Sequence, residues 1–123
     1  MKKILYVEDE PNQIMLVQAR LEQNGYQCIA AEDGEIGLKK AIEEKPDLVL
    51  LDIFLPKMSG FEVCRLLKQN PETKDIPVMI LTASGVEYVD EQAKTAGANA
   101  CLMKPYEGAV LIAQIKVLLG EIK

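Results

Sequence analysis

The chain has 123 residues, 49% of them hydrophobic and 27% charged, the balance of an ordinary globular protein with room for one good core; a single domain over residues 1–123 is therefore expected. Its net charge of −5 weighs against direct binding to a nucleic-acid phosphate backbone. No run of about 18 apolar residues exists to span a membrane, so no membrane partner is expected.

Met1-Lys2-Lys3 enters a strand-like run over 3–7 and then acids, unlike a signal peptide, which points to the cytoplasm. Glu8-Asp9-Glu10-Pro11 reads as a helix start: acids suit the positive end of the helix dipole, and proline at the first turn needs no donor. Ile14, Val17 and Leu21 recur at helical spacing up to Asn24-Gly25, a C-terminal cap pair. A second strand follows over 28–31, and after Asp33-Gly34 a helix carries Ile36, Ala41 and Ile42 to about Glu44. Leu48-Val49-Leu50-Leu51 is a continuous apolar run ending in Asp52, the pattern of a strand buried on both faces of a parallel sheet. Pro56 and Gly60 turn the chain away, and Ser59 can cap a helix carrying Phe61, Cys64, Leu66 and Leu67. A loop over 71–76 precedes a fourth strand over 77–82, and the loop Ala83-Ser84-Gly85 precedes a helix with Val86, Val89, Ala93 and Ala96 on one face, ending at Gly97. A fifth strand over 100–103, Lys104-Pro105 and a last helix over about 106–119 complete the chain.

The pattern is (βα)5, which predicts an α/β three-layer sandwich with right-handed crossovers. The runs richest in large apolar residues belong in the middle of the sheet and the two short alanine-containing ones at its edges, giving the flavodoxin-like strand order 2-1-3-4-5. That order separates Cys28 from Cys101 by about 19 Å, too far for a disulfide. With Cys64 these make an odd set without a C-x-x-C pair, as expected for free thiols in a reducing compartment.

Parallel strands place the residues that follow them on one rim, where ligands bind in open α/β sheets. Glu8 and Asp9 follow the first strand, Asp52 ends the third, Thr82 the fourth, and Lys104 follows the fifth. Acids gathered there repel by about 4 kcal/mol per pair at 4 Å in an effective dielectric near 20, and one lysine does not offset three of them. An all-oxygen set of this kind suits Mg²⁺, and a carboxylate nucleophile, a metal, a cationic clamp and a hydroxyl donor are the parts of phosphoryl transfer. The chain contains no histidine, so a phosphohistidine donor to Asp52 would lie on another molecule.

Ile-Leu-Tyr-Val-Glu-Asp-Glu, Asp-Leu-Val-Leu-Leu-Asp-Ile-Phe-Leu-Pro-Lys-Met-Ser-Gly-Phe-Glu, Pro-Val-Met-Ile-Leu-Thr-Ala and Gly-Ala-Asn-Ala-Cys-Leu-Met-Lys-Pro-Tyr occur in that order. With them the chain resembles, over essentially its whole length, the receiver domain of bacterial two-component response regulators. The resemblance implies that Asp52 accepts a phosphoryl group from a partner histidine kinase or histidine phosphotransfer protein. It implies that Asp9, Asp52 and the carbonyl of Phe54 ligate Mg²⁺, or Mn²⁺ in its place, with Glu8 acting through water. Thr82 and Lys104 would contact the phosphoryl oxygens. Such a domain catalyses only its own phosphorylation and dephosphorylation and is not a turnover enzyme.

Two positions depart from the family pattern. Glu8 is one methylene longer than the aspartate often found as the first acid. Cys101 stands where an aromatic residue usually reorients on activation. The switch region expected here is therefore Thr82, Ala83, Ser84 and Cys101, with coupling through Thr82 and the following loop. Val110, Leu111, Ile112, Ile115, Val117, Leu118 and Leu119 exceed what one core-facing stripe of the last helix needs. Part of that surface is expected to stay exposed for an output partner at the last two helices, or for a phosphorylation-dependent homodimer. Three other readings compete. A phosphorylation-independent interaction module on the same scaffold is one. A haloacid-dehalogenase-type phosphatase is another, but it would need an acid where Phe54 stands. A flavodoxin would need a Ser/Thr/Gly-rich loop after the first strand.

Overall fold

The structure, a computed structural model, describes residues 1–83 and 89–122. Five parallel strands, β1 (Lys3–Val7), β2 (Gln27–Ala31), β3 (Leu48–Asp52), β4 (Val78–Ala83) and β5 (Ala100–Lys104), form one sheet in the order β2-β1-β3-β4-β5. Between and after them lie α1 (Pro11–Gln23), α2 (Gly34–Glu44), α3 (Gly60–Gln69), α4 (Val89–Ala96) and α5 (Gly108–Leu118). The fold is the expected three-layer α/β sandwich, with β3 buried at every position.

Strand alternation divides the core into two layers. Leu5, Val7, Val49, Leu51, Val78 and Ile80 pack with Ala41, Val63, Leu67, Ala93 and Ala96 of α2, α3 and α4. Ile4, Tyr6, Leu48, Leu50, Met79 and Leu81 pack with Val17 and Leu21 of α1 and Leu111, Ile112 and Ile115 of α5. Because β3 is covered on both sides, both parities of its apolar run are used, which is why the sequence does not alternate there.

The helix starts follow local chemistry. Glu10 caps α1, its carboxylate accepting the Asn12 and Gln13 amides at 3.1 and 2.9 Å. Asp33 accepts the Ile36 amide at 2.9 Å to open α2, and Ser59 accepts the Glu62 amide at 3.2 Å to open α3. Gly25 follows α1 at φ +84°, a left-handed turn that suits a residue without Cβ.

Two expectations are corrected. In α2, Ile36 and Ile42 are exposed, and the helix packs through Gly34, Gly37 and Ala41 instead. Gly37 lies so close to the Val7 side chain that any Cβ there would meet it at 2.8 Å, so small residues form the contact. The last helix begins at Gly108, not near Tyr106, which stays in the preceding loop with its ring against the α1–α5 core layer. Of α5's apolar residues, Leu111, Ile112 and Ile115 are buried while Val110 and Val117 are exposed. Val86 of the expected fourth-helix face lies outside the described residues.

Gly60 joins the fold to the rim. Its amide donates to the Ile53 carbonyl at 2.9 Å, and a Cβ at this position would run into the Asp52 carbonyl oxygen. Backbone atoms cannot swing aside as a flexible side chain can. Gly60→Ala is therefore expected to destabilise the domain by about 1–3 kcal/mol, read as a lower midpoint in urea unfolding with an unchanged slope.

Candidate functional site

The carboxyl ends of the strands meet at one rim, and the register decides which side chains reach each other. Val7 pairs with Leu51 on the adjacent strand, so Glu8 and Asp52 stand side by side. Glu8 shares its parity with Tyr6, and Asp52 with Leu50, so both acids project toward the α1–α5 layer. Lys104 shares that parity on β5 with Ala100 and Leu102. Its long stem crosses β4 to set Nζ 2.7 Å from Asp52 Oδ2 and 3.5 Å from Glu8 Oε1. The side chains of Glu8, Asp52 and Lys104 are 4%, 12% and 23% exposed, so this is a mostly desolvated triad carrying two acids against one base.

Each acid is also held by its own chain. Asp52 Oδ1 accepts the Phe54 amide at 2.9 Å. Glu8 Oε2 accepts the amides of Asp9 and Glu10 at 3.0 and 3.3 Å, while Oε1 accepts the Tyr6 hydroxyl at 3.3 Å. Burial, followed by the hydrogen bond and negative charge of Asp52, pushes the Glu8 carboxyl up to about 7, against the opposing pull of Lys104 and the Glu10 amide. Burial alone would lower the Lys104 ammonium, but its bond to Asp52 and the charges of Asp52 and Glu8 outweigh this and hold it above its ordinary value. One cation therefore leaves a negative surplus at the rim.

The other expected site residues are placed less uniformly. Thr82 is buried near the end of β4. Ala83 ends that strand, whereas Ser84 and Gly85 of the expected switch loop lie outside the described residues. Cys101 is half-buried against the α2–α4 core layer. The Phe54 ring is exposed, and Asp9 is exposed beside Glu8. Among the described residues no group of three acids forms a ready metal cage; the direct side-chain contacts at the rim join Glu8, Asp52 and Lys104, and Asp9 is the next residue, its amide on Glu8. The donors nonetheless fit a hard cation in kind, being oxygens with an uncompensated negative charge. Sequence reasoning missed Tyr6, although its place two residues before Glu8 on a strand put the two side chains on one face.

Fold and rim define a doubly wound α/β domain whose working edge carries two acids and a lysine. The sequence profile of the "Response regulator receiver domain" family matches residues 4–116. The chain is 42% identical over 118 residues to the alkaline phosphatase synthesis transcriptional regulatory protein PhoP of Bacillus subtilis, covering 96% of this chain and 48% of that protein. It is 39% identical over 120 residues to Protein PilH of Pseudomonas aeruginosa, covering 98% of this chain and 99% of that protein. It therefore spans about half the length of PhoP and nearly all of PilH. Among solved structures it is similar to response regulator protein TrrA of Thermotoga maritima in complex with Mg²⁺-BeF, with a TM-score of 0.86 and 36% identity over 96% of this chain and 99% of that one. The chain belongs to the response regulator receiver domain family of two-component signalling, in which phosphorylation and Mg²⁺ binding are general features.

The Glu8 carboxyl gives a pH dependence of defined sign. Its folded value of about 7 lies above the ordinary 4.5, so the folded state holds this proton more tightly than the unfolded chain. The stability that this proton provides is complete below about 4.5 and is lost as pH rises toward 7. Lys104, raised from 10.5, titrates outside this window. In metal-free urea unfolding at a series of pH values, wild type is expected to lose on the order of 2 kcal/mol between these limits relative to Glu8→Gln. Parallel pH profiles for the two proteins would refute it.

Proposed function

We propose that this chain is a phosphoacceptor signalling domain in which Asp52 takes a phosphoryl group from a phosphohistidine on a partner histidine kinase or phosphotransfer protein. The observation that supports this best is the Lys104 ammonium, 2.7 Å from Asp52 Oδ2 at the end of a strand buried on both faces. An Asp52 carboxylate oxygen attacks phosphorus as the phosphorus–nitrogen bond of the donor breaks, and the imidazole leaves. Lys104, freed from part of its pairing with Asp52, follows the negative charge onto the phosphoryl oxygens, and the Thr82 hydroxyl donates to another of them. The Phe54 amide keeps the Asp52 carboxylate oriented. Asp9, Asp52 and the Phe54 carbonyl would hold Mg²⁺, or Mn²⁺ in its place, with Glu8 acting through water. When bound, the metal offsets the crowded negative charge of acids and phosphoryl oxygens.

The reaction is confined to Asp52 of the domain itself, residues 1–123 acting as one receiver unit, and no external substrate is turned over. The acyl phosphate biases Thr82 and the segment that follows it, and the exposed Val110 and Val117 of α5 belong to the surface offered to an output protein or a second copy. No described helix is long and apolar enough to cross a membrane. We place the domain in the cytoplasm, where histidine kinases present their phosphohistidine, with neither nucleic acid nor membrane as a direct partner.

Intact-protein mass spectrometry after incubation with Mg²⁺ and acetyl phosphate is expected to show a single adduct of about 80 Da, absent from Asp52→Asn. An unmodified wild-type protein would favour an interaction module that works without phosphorylation. An adduct persisting in Asp52→Asn would move the nucleophile elsewhere. Asp9→Asn is expected to keep the fold but weaken Mg²⁺ binding about tenfold or more in calorimetric titration and to slow adduct formation in step. Unchanged affinity would leave Asp9 outside the metal site.

A further inference from the structure

Tyr6 is among the largest fully buried side chains, at 0% exposure in the layer between the sheet and α1–α5. Its ring lies in the core layer that includes Ile4, Val17, Leu50 and Leu81, where a phenylalanine would fill the same space. A phenol in such a layer carries a desolvation cost unless its hydroxyl is bonded. Here that hydroxyl reaches the rim and donates to Glu8 Oε1 at 3.3 Å. Burial, followed by the negative charge of Glu8, raises the phenol well above its ordinary value, so it is a permanent donor.

The acceptor explains the donor. Glu8 has one more rotatable bond than an aspartate, and an unrestrained carboxylate on that stem would sweep out of the crevice toward water. Its four contacts oppose this from two sides: the Asp9 and Glu10 amides hold Oε2 at 3.0 and 3.3 Å, and Tyr6 and Lys104 hold Oε1 at 3.3 and 3.5 Å. Both contacts to Oε1 are long, and they differ in that Lys104 is engaged mainly by Asp52, at 2.7 Å, whereas the phenol has Glu8 as its acceptor. The phenol reaches Glu8 from beneath, out of the core, on the oxygen that the two amides leave.

We propose that Tyr6 is a positioning residue for the rim, its hydroxyl fixing the longer first acid beside Asp52 and Lys104. For Mg²⁺ the inference rests on the phosphoacceptor reading above: a Glu8 so fixed presents its charge to the metal's water shell in one geometry. Tyr6 acts through Glu8 and contacts no reacting atom.

The test compares Tyr6→Phe in the wild-type background with Tyr6→Phe in Glu8→Asp, where the shorter acid does not reach the phenol. Without metal or phosphate, amide hydrogen exchange at Asp9 and Glu10 is expected to accelerate about fivefold in Tyr6→Phe, as Glu8 loosens. Mg²⁺ affinity, measured by calorimetry, is expected to fall about tenfold. Both effects should vanish in the Glu8→Asp background. Exchange and affinity unchanged by Tyr6→Phe would overturn the proposal, and so would equal changes in both backgrounds, which would make Tyr6 a packing residue. If the wild type binds no Mg²⁺, the phosphoacceptor reading fails instead, and the exchange comparison alone decides the role of Tyr6.

Discussion

The contact between Lys104 and Asp52, 2.7 Å long at the edge of a buried strand, is the interaction on which the rest of the rim depends. Two acids side by side at low exposure repel strongly, because little water lies between them to screen the charge. One ammonium placed between them makes the arrangement tolerable without neutralising it. The remaining negative charge is offset in part by the amides of Asp9, Glu10 and Phe54 and by the Tyr6 hydroxyl, all donating to these carboxylates, and is reflected in the raised proton affinity of Glu8. A site built this way is short of positive charge in its resting state. The surplus negative charge on oxygen donors suits a hard cation.

The fold supplies the rigidity that this electrostatic crowding requires. β3 is buried at all its positions and flanked by β1 and β4, so Asp52 cannot retreat from its neighbours. The turn behind it is fixed by Gly60 against the Asp52 carbonyl and by Lys57, whose ammonium lies 3.5 Å from Asp33 and 3.7 Å from Glu35 at the start of α2. The Lys57 end of both pairs is exposed, as is Glu35, so they contribute little stability individually, but with the mostly buried Asp33 they tie the β3–α3 turn to a second element. At the far end of the sheet, Lys68 donates to the Ile76 carbonyl at 2.8 Å and to Asn99 at 2.9 Å, joining α3 to the chain on either side of β4 and α4.

Cys101 is half-buried on the last strand. It packs on the α2–α4 side of the sheet, whereas Lys104, three residues later on the same strand, points to the opposite layer. A small thiol in that place fills core space and has no ring to swing outward. Thr82, at the end of the neighbouring strand β4, is itself buried.

The order of elements, the strand arrangement and the identity of most rim residues were legible in the chain. They depend on local rules: apolar runs of a given period, helix-start signals such as the acids before Pro11 and the cap Ser59, and the fact that parallel strands deliver their last residues to one edge. What the sequence could not settle was which of those residues touch. Spacing placed Glu8, Asp9 and Asp52 at one rim, while register and side-chain parity decide that Glu8 and Asp52 stand side by side under Lys104 and that Asp9 is the more exposed acid. The packing of α2 through Gly37 and Ala41, with its isoleucines outside, likewise follows from how near the helix comes to Val7. Tyr6 read as one more apolar strand residue; its hydroxyl matters only because the folded core aims it at Glu8. Periodicity fixes which face a residue takes, while distance between faces is set by packing, and only the tertiary structure contains that distance.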